Sequence, residues 1–482
     1  MSNLKKALFS GVFYTAIAKY SGIIISLVIT AVLSRLLSPD DFGVVAVATV
    51  IIAFFNLFTD MGLSPAIIQK KELSTNDLSN IFSFTIWTGI LLALFFFFCS
   101  WLIGAYYDSD ILVILCQLLS INLFFASANI VPNALFYKNK EFKFIAVRTL
   151  VIQIAGGSVA IAVALSGGGL YALIVNPILS SILLFVISFK RYPQTIRLTL
   201  GLSTIKKIFS YSAYQFFFNI INYFSRNLDK LLIGRYMGMS PLGYYEKSYR
   251  LMMLPLQNIT QVITPVMHPI FSDYQNDLNQ LSTSYEKIIR LLAFIGFPIT
   301  ALLFFTSKEL ILILFGDQWL LSIPVFEILA LSVGIQIILS SSGSIFQAAN
   351  DTKSMFICGL FSSTLNVAGI LTGIFYFQTL EAVAWCICIT FTINFFQCYW
   401  VMYNVTFKRN MVSFFKQLVS PILATIILAV VLYGTSIFID HLHIIITLII
   451  KGCLFLLITI AYIQLSREYD IIGKLKNYIK KQ

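Results

Sequence analysis

The sequence predicts an all-α polytopic membrane protein with about 14 transmembrane helices: two six-helix bundles related by internal duplication, plus a C-terminal helix pair. Three observations support this prediction. Hydrophobic residues make up 58% of the chain and charged residues only 11%, whereas soluble domains average about 25% charged residues. Apolar segments long enough to cross a hydrocarbon core recur along the whole chain. A pattern of polar residues and turn motifs also recurs at a spacing of 200 positions.

Each predicted span is an apolar segment of about 20 residues or more. The predicted segments are 9–35, 42–64, 81–104, 111–132, 144–165, 169–189, 208–234, 242–267, 286–306, 322–348, 354–377, 380–403, 418–439 and 443–465. The first, seventh, eighth and fourteenth contain charged residues and depart most from a uniform apolar span. The repeat then divides the chain into an N-terminal bundle (1–192), a cytoplasmic linker (193–207), a C-terminal bundle (208–405) and a helix pair with a basic tail (406–482).

Lysine and arginine are distributed unevenly between the two sides of the predicted membrane. If the N-terminus lies inside, most of the 33 Lys and Arg residues fall in loops on the same side. The positive-inside rule therefore predicts that both termini are cytoplasmic. The same rule, with attraction to anionic lipids, explains the net charge of +12. Membrane lipids are thus predicted partners and nucleic acid is not.

The sequence predicts no disulfide, metal site or cofactor. All seven cysteines fall within apolar segments, where a structural role as small apolar residues is expected. The three histidines show no metal-ligand spacing, and no nucleotide-binding motif is present. The longest outer loop is too short for the catalytic domain of a membrane enzyme, so a non-enzymatic role is predicted.

The seventh segment contains a stripe of polar residues inside a predicted membrane helix. Steps of 3, 4, 3, 4 and 3 place these residues on one helix face: Ser212, Gln215, Asn219, Asn222, Arg226 and Asp229. Lys230 continues the stripe. A guanidinium group at the bilayer centre costs at least about 2.5–3.5 kcal/mol, so it normally faces other helices or water.

A second stripe lies 200 positions earlier. Thr15, Lys19, Gly22, Ser26 and Thr30 match, in order, the positions Gln215, Asn219, Asn222, Arg226 and Lys230. The turn that follows is also repeated, since Leu33-Ser34-Arg35 recurs as Ile233-Gly234-Arg235 and Gly43 as Gly243. A duplicated helix with a hydrophilic face predicts two halves around a polar cavity.

The charged residues of the two stripes predict that the cavity carries a net positive charge. Lys19, Arg226 and Lys230 outnumber the embedded carboxylates, and a cavity for an anionic substrate requires such an excess. The alternative is that the polar groups only connect helices. Asp229 lies three residues from Arg226 and can partly neutralise it. Asp60, Asp229 and Glu327 are the candidate sites for a coupling ion.

Several motifs resemble one known family. They are LSRLLSPDDFG at 33–43, FNLFTDMGLSPAIIQKKEL at 55–73, NYFSRNLDKLLIGRYMGMSPLGYYEKSYRL at 222–251, PLQNI at 255–259 and GDQW at 316–319. Over roughly residues 1–410 the chain resembles Wzx-type flippases. These form the polysaccharide-exporter branch of the multidrug/oligosaccharidyl-lipid/polysaccharide superfamily, related in fold to the lipid II flippase.

The resemblance implies a task, a location and partners. The task is to move an undecaprenyl-diphosphate-linked oligosaccharide (an O-antigen, capsule or exopolysaccharide unit) across the bacterial cytoplasmic membrane by alternating access. Polymerase and chain-length proteins of the same pathway are implied partners. By position, the cavity role falls on Lys19, Arg226 and Lys230, joined by Asn219, Asn222 and Gln215, with Arg148 and Arg35 near the two mouths.

Other functions stay open at this point. A cation-coupled drug antiporter of the same superfamily would need embedded carboxylates, whereas the stripes are net basic. A membrane polysaccharide polymerase or ligase would need a large outer loop with catalytic residues. Only the two polar stripes argue against a membrane scaffold without transport activity.

Overall fold

The computed structural model describes residues 2–60, 62–70, 72–197, 213–275, 277–439, 441–466 and 468. Within these ranges all regular elements are helical, which confirms the predicted all-α class. The first eight helices are α1 (Ser2–Leu36), α2 (Pro39–Asp60), α3 (Leu63–Gln69), α4 (Thr75–Tyr107), α5 (Asp110–Ala128), α6 (Ile130–Lys138), α7 (Phe142–Leu165) and α8 (Tyr171–Arg191).

The remaining helices follow the undescribed residues 198–212. They are α9 (Ala213–Tyr236), α10 (Met239–Ser272), α11 (Leu278–Phe305), α12 (Ser307–Leu314), α13 (Ser322–Ala330), α14 (Val333–Leu339), α15 (Ser342–Ala348), α16 (Thr352–Leu371), α17 (Leu380–Val401), α18 (Val412–Ile439) and α19 (Ile444–Leu465). A 3-10 turn at Asp317–Trp319 follows α12, and π-helical turns extend α16 and α17.

The chain divides into two compact units, Met1–Gly243 and Tyr244–Gln482. The predicted bounds 1–192, 208–405 and 406–482 describe a duplication and stay predictions. Part of the predicted linker 193–207, and the basic tail beyond residue 468, lie outside the described residues.

The predicted number of fourteen spans is not confirmed. In the described part of the chain, eleven helices are long and apolar enough to cross a membrane, or twelve if a bent pair counts as one span. These twelve coincide with twelve of the predicted segments. The other two predicted spans form α9 and α10. Both helices are long enough to cross a membrane, but their polar and charged residues make them less hydrophobic than the twelve segments that are counted.

The predicted tenth span, 322–348, is broken into three short helices. α13 and the following segment meet at 43°. At the bend the backbone tightens, because the N–H groups of Leu331 and Ser332 bond carbonyl groups three residues back. The N–H of Gly334 donates to Thr300 Oγ1 on α11 at 2.8 Å. At the bend, the N–H of Gly334 thus bonds to a hydroxyl group on a neighbouring helix. Backbone groups inside a membrane need such partners, because lipid supplies none.

The N-terminal unit is held together by close helix packing. α1 packs along α7, where Ile29, Leu33 and Ala160 form part of one buried cluster. α4 packs along α5, and the hydroxyl of Ser127 donates to the Thr85 carbonyl at 2.7 Å. Small and hydroxyl residues at these contacts let membrane helices approach closely.

Two glycines of the repeat pack reciprocally against backbone. A Cβ on Gly43 would lie 1.8 Å from the Met239 carbonyl oxygen, and one on Gly243 would lie 2.0 Å from the Pro39 carbonyl oxygen. Ser240 Oγ, beside this contact, donates to Asp40 Oδ1 at 3.2 Å. Because glycine has no Cβ, both helix starts can approach this closely.

Arg148 is the buried polar centre of the contact among α6, α7 and α8. Its side chain is almost fully buried. Nη1 donates to Ser188 Oγ at 2.7 Å, and Nη2 donates to Asn133 Oδ1 at 2.8 Å. The guanidinium carbon lies 4.8 Å from the centre of the Phe136 ring. These contacts compensate for part of the loss of water around the charge, and within the described residues Nε has no hydrogen-bond partner.

Gly43→Ala is expected to destabilise the protein by about 1–3 kcal/mol or more, because the new methyl group meets a backbone carbonyl that cannot rotate away. Thermal unfolding of the purified protein in detergent measures the change. Gly359→Ala in α16 is the matched control, since a Cβ there meets no atom within 4 Å. Equal melting temperatures for the two variants would contradict the packing argument.

Arg148→Met is expected to lower the free energy of unfolding by about 1.5–3 kcal/mol, because Asn133 and Ser188 lose a charged donor. Arg191→Met is the control, since the Arg191 side chain is 62% exposed. That exposed substitution is expected to change stability by less than about 0.5 kcal/mol. Unfolding in detergent compares both with the wild type, and an unaltered Arg148→Met protein would disprove a structural role.

Candidate functional site

The helix with the charged end of the stripe, α9, packs its aromatic face on α2. The ring centres of Phe224 and Phe54 lie 4.8 Å apart, and those of Tyr223 and Phe54 lie 6.1 Å apart. The Tyr223 hydroxyl donates to the Val50 carbonyl. Nearer the C-terminal end of α9, the Tyr107 hydroxyl of α4 donates to the Leu231 carbonyl at 3.0 Å.

The charged residues of this stripe differ in burial. Arg226 is exposed, Lys230 is partly buried and Asp229 is only 3% exposed. The Lys230 N–H donates to Asp229 Oδ1 at 2.8 Å, so one carboxylate oxygen is bonded within the helix. Across the residues that the structure describes, no ion pair includes Arg226. The Arg226 side chain is exposed, and its role in binding a substrate stays a prediction.

The residues of the matching stripe on α1 also differ in burial. Thr15 is exposed, Lys19 is partly buried with Nζ 5.9 Å from the Tyr20 ring centre, and Thr30 is buried. The carbonyl of Gly22 accepts a hydrogen bond from the side-chain amide of Gln153 on α7 at 2.8 Å. The later positions of the α1 stripe are therefore used in packing, and the earlier ones are more accessible.

The two arginines expected near the mouths occupy different environments. Arg35 lies in the last turn of α1 and is exposed. Arg148 takes part in the buried contacts with Ser188 and Asn133 described above. In this structure the Arg148 guanidinium therefore bonds to side chains of neighbouring helices.

Some predicted site residues lie outside the described part of the chain. Ser212 falls in the undescribed segment, and the side chains of Gln215, Asn219, Asn222 and Asp60 are also outside the description. Their roles stay predictions. Glu327, the third candidate for a coupling ion, lies on α13, where its Oε1 accepts a hydrogen bond from Ser307 Oγ at 2.8 Å.

The predicted site residues do not include Lys247, which lies on α10. The structure buries it to 2% exposure. Its Nζ lies 4.8 Å from the ring centres of both Phe315 and Trp319, a cation–π arrangement. Two of the family-like motifs, 222–251 and 316–319, meet at this contact. Their common presence in the sequence was the only signal that could have linked them.

The guanidinium group of Arg226 has the chemistry to bind a phosphate group. A guanidinium presents parallel N–H donors that match two phosphate oxygens at once. Two further cations on the stripes, Lys230 and Lys19, add positive charge without that planar geometry. Contacts of Tyr223 and Phe224 with α2 fix the helix, and the Arg226 side chain stays exposed.

Two curated relatives align with most of this chain. Teichuronic acid biosynthesis protein TuaB of Bacillus subtilis is 26% identical over 450 residues, covering 92% of this chain and 91% of that protein. Lipopolysaccharide biosynthesis protein WzxC of Escherichia coli is 26% identical over 375 residues, covering 77% and 76%.

A solved structure shows the same fold. The lipid II flippase MurJ in an inward closed conformation matches with a TM-score of 0.74, covering 95% of this chain and 99% of that one at 15% sequence identity. At this identity the likeness establishes the fold of a multi-pass membrane protein.

A family model described as polysaccharide biosynthesis protein matches residues 32–324. This range is more than half of the chain and contains the seventh segment with its stripe, as well as all five of the motifs quoted above. The resemblance to polysaccharide exporters is therefore confirmed, and the chain belongs to the polysaccharide biosynthesis protein family.

Proposed function

We propose that this protein moves an undecaprenyl-diphosphate-linked oligosaccharide across the cytoplasmic membrane by alternating access through a cationic central cavity. The observation that carries the proposal is the exposed guanidinium of Arg226 on the 24-residue helix α9, without an ion-pair partner in the described residues. Such a charge in a membrane protein normally marks a substrate or ion pathway.

The chemistry of the substrate matches this charge. A diphosphate linker is anionic and has to cross an apolar region, where electrostatic attraction is stronger than in water. Arg226 can bind phosphate oxygens in bidentate fashion, and Lys230 and Lys19 can balance the remaining charge. The polar residues Gln215, Asn219 and Asn222 are proposed to contact the linker or the sugar.

The relatives support the substrate class. TuaB is named for the biosynthesis of teichuronic acid and WzxC for that of lipopolysaccharide, and MurJ is named as a lipid II flippase. A shared lipid-diphosphate carrier with variable sugars accounts for one fold across such different polymers. Transport, rather than catalysis, is the activity proposed.

The arrangement in the membrane follows from the charge distribution. Both termini are proposed to be cytoplasmic, because this orientation places most Lys- and Arg-rich loops on the cytoplasmic side, as the positive-inside rule requires. The lipid tail of the substrate is proposed to stay in the bilayer while the diphosphate enters the cavity. The polymerase and chain-length proteins of the pathway are the proposed partners that receive the product.

Arg226→Ala is expected to reduce transfer of the lipid-linked oligosaccharide at least about tenfold, because each lost charge-assisted hydrogen bond is worth about 1.5–3 kcal/mol. Purified protein reconstituted into vesicles with a labelled lipid-diphosphate sugar measures transfer between leaflets. The variant is expected to insert and to unfold like the wild type, since Arg226 is exposed.

Arg191→Ala is the matched control because this arginine is also exposed and lies at the end of α8. It is expected to transfer substrate at the wild-type rate. Wild-type transfer by Arg226→Ala would remove the proposed role of the stripe. Equal losses in both variants would indicate a general effect of surface charge.

A further inference from the structure

One face of α10 carries polar residues along a predicted membrane span. Glu246, Arg250, Gln257 and Gln261 follow one another at steps of 4, 7 and 4, and these steps return to the same side of an α-helix. Gln257 lies near the middle of the 34-residue helix, with 18 residues before it and 15 after it. Polar side chains at such a depth normally face the interior of a membrane protein or a water-filled cavity.

Another side of α10 is used for helix packing. The Ser248 hydroxyl donates to the carbonyl of Ser322, the first residue of α13, at 2.8 Å. One turn further along, Met252 Sδ accepts a hydrogen bond from the Ser332 hydroxyl at 3.7 Å. Ser248 and Met252 are both fully buried. These contacts pack one side of α10 on α13 and on the start of α14.

The two glutamines lie opposite this packed side. Gln257 is nine residues after Ser248, and Gln261 is nine residues after Met252. Nine residues are two and a half turns at about 3.6 residues per turn, so each amide projects from the opposite side of the helix. Both glutamine side chains are exposed. The contacts of α10 with α13 and α14 therefore do not account for these two residues.

The chemistry of an amide group indicates what this face contacts. A glutamine side chain offers one carbonyl acceptor and two N–H donors. Lipid chains bond to none of these groups, and an amide that moves from water into hydrocarbon loses its hydrogen bonds without compensation. Two exposed amides in the middle of a predicted span therefore indicate that this face meets water or a polar ligand.

The polar face of α10 differs in charge along its length. Arg250 is exposed, and Glu246 lies four positions before it, a spacing at which opposite charges attract each other on a helix. Gln257 and Gln261 have no charge. Sugar hydroxyl groups are also neutral, and each can donate and accept a hydrogen bond as an amide does. The uncharged end of the face thus matches a sugar better than a diphosphate.

The spacing of the two amides suits a sugar as well. Residues four apart on a helix have Cβ atoms about 5–6 Å apart, so both amides can bond to hydroxyl groups of one sugar unit. Gln257 also belongs to the PLQNI motif at 255–259, to which the proposed diphosphate contacts give no role.

We propose that Gln257 and Gln261 form a sugar-binding face on α10, which holds the oligosaccharide of the substrate through its neutral hydroxyl groups. This role is separate from the diphosphate contact proposed for Arg226. The sugar contact rests on the proposed function, whereas the exposure of this face to water does not.

Cysteine labelling of the full-length protein in lipid vesicles tests whether the face meets water. Gln257→Cys and Gln261→Cys are expected to react with a charged, water-soluble maleimide at least about tenfold faster than Leu457→Cys, because thiolates form in water and not in lipid. Leu457 is the control because it is 67% exposed on the apolar helix α19. The wild type measures the background of the native thiols, of which Cys453 is exposed. Labelling of both glutamine variants as slowly as Leu457→Cys would overturn the proposal.

Protection from labelling then identifies the occupant of the face. Undecaprenyl-diphosphate-linked oligosaccharide is expected to suppress most of the labelling of Gln261→Cys, and undecaprenyl diphosphate without sugar is expected to leave it unchanged. Protection by both lipids would place the diphosphate or the lipid chain at this face and overturn the sugar contact. Protection by neither lipid would overturn it as well.

Transfer assays separate this proposal from the proposed function. Protein with both Gln257→Leu and Gln261→Leu is expected to transfer the labelled lipid-diphosphate oligosaccharide at least about fivefold more slowly, because two neutral hydrogen bonds are lost. Gln69→Leu, which removes an exposed amide at the end of α3, is the matched control and is expected to keep the wild-type rate. An unchanged rate in the double variant would overturn the sugar contact. No transfer by the wild type would overturn the proposed function, and the labelling would still decide whether the α10 face meets water.

Discussion

The charged side chains buried among the helices of this protein need compensating contacts, because the membrane interior offers no hydrogen bonds. Arg148 shows one solution, because two side-chain acceptors and an aromatic ring surround its guanidinium. Lys247 shows another, with its ammonium between two aromatic rings. Each of these charges is compensated by packing within its own unit, and each contact therefore also holds helices together.

Arg226 is different because the described structure gives it no such compensation. Its helix is fixed by contacts of Tyr223 and Phe224 with α2, while the Arg226 side chain itself is exposed. The contrast between Arg148 and Arg226 separates a structural arginine from a candidate ligand-binding one. Charge alone does not make this distinction, since both residues lie in predicted membrane spans.

In the second unit, the backbone groups at helix breaks also need hydrogen-bond partners. The bend before α14 is stabilised by the Thr300 hydroxyl, and the end of α11 is stabilised by Lys451. In both cases a side chain from another helix replaces the missing backbone partner. The first break depends on a hydroxyl group, and the second depends on an ammonium group that also pairs with Glu309.

The sequence by itself determined the all-α membrane class, twelve of the proposed spans and the family, because apolar length and local motifs are properties of neighbouring residues. It also identified the polar stripe, since helical spacing alone places Arg226 and Asp229 on one face. Tertiary structure decided which charges are compensated: Arg148 meets Asn133 and Ser188, and Lys451 meets Glu309, 142 residues away in the chain. Helix periodicity contains no information about such distant partners, because they are selected by packing between helices.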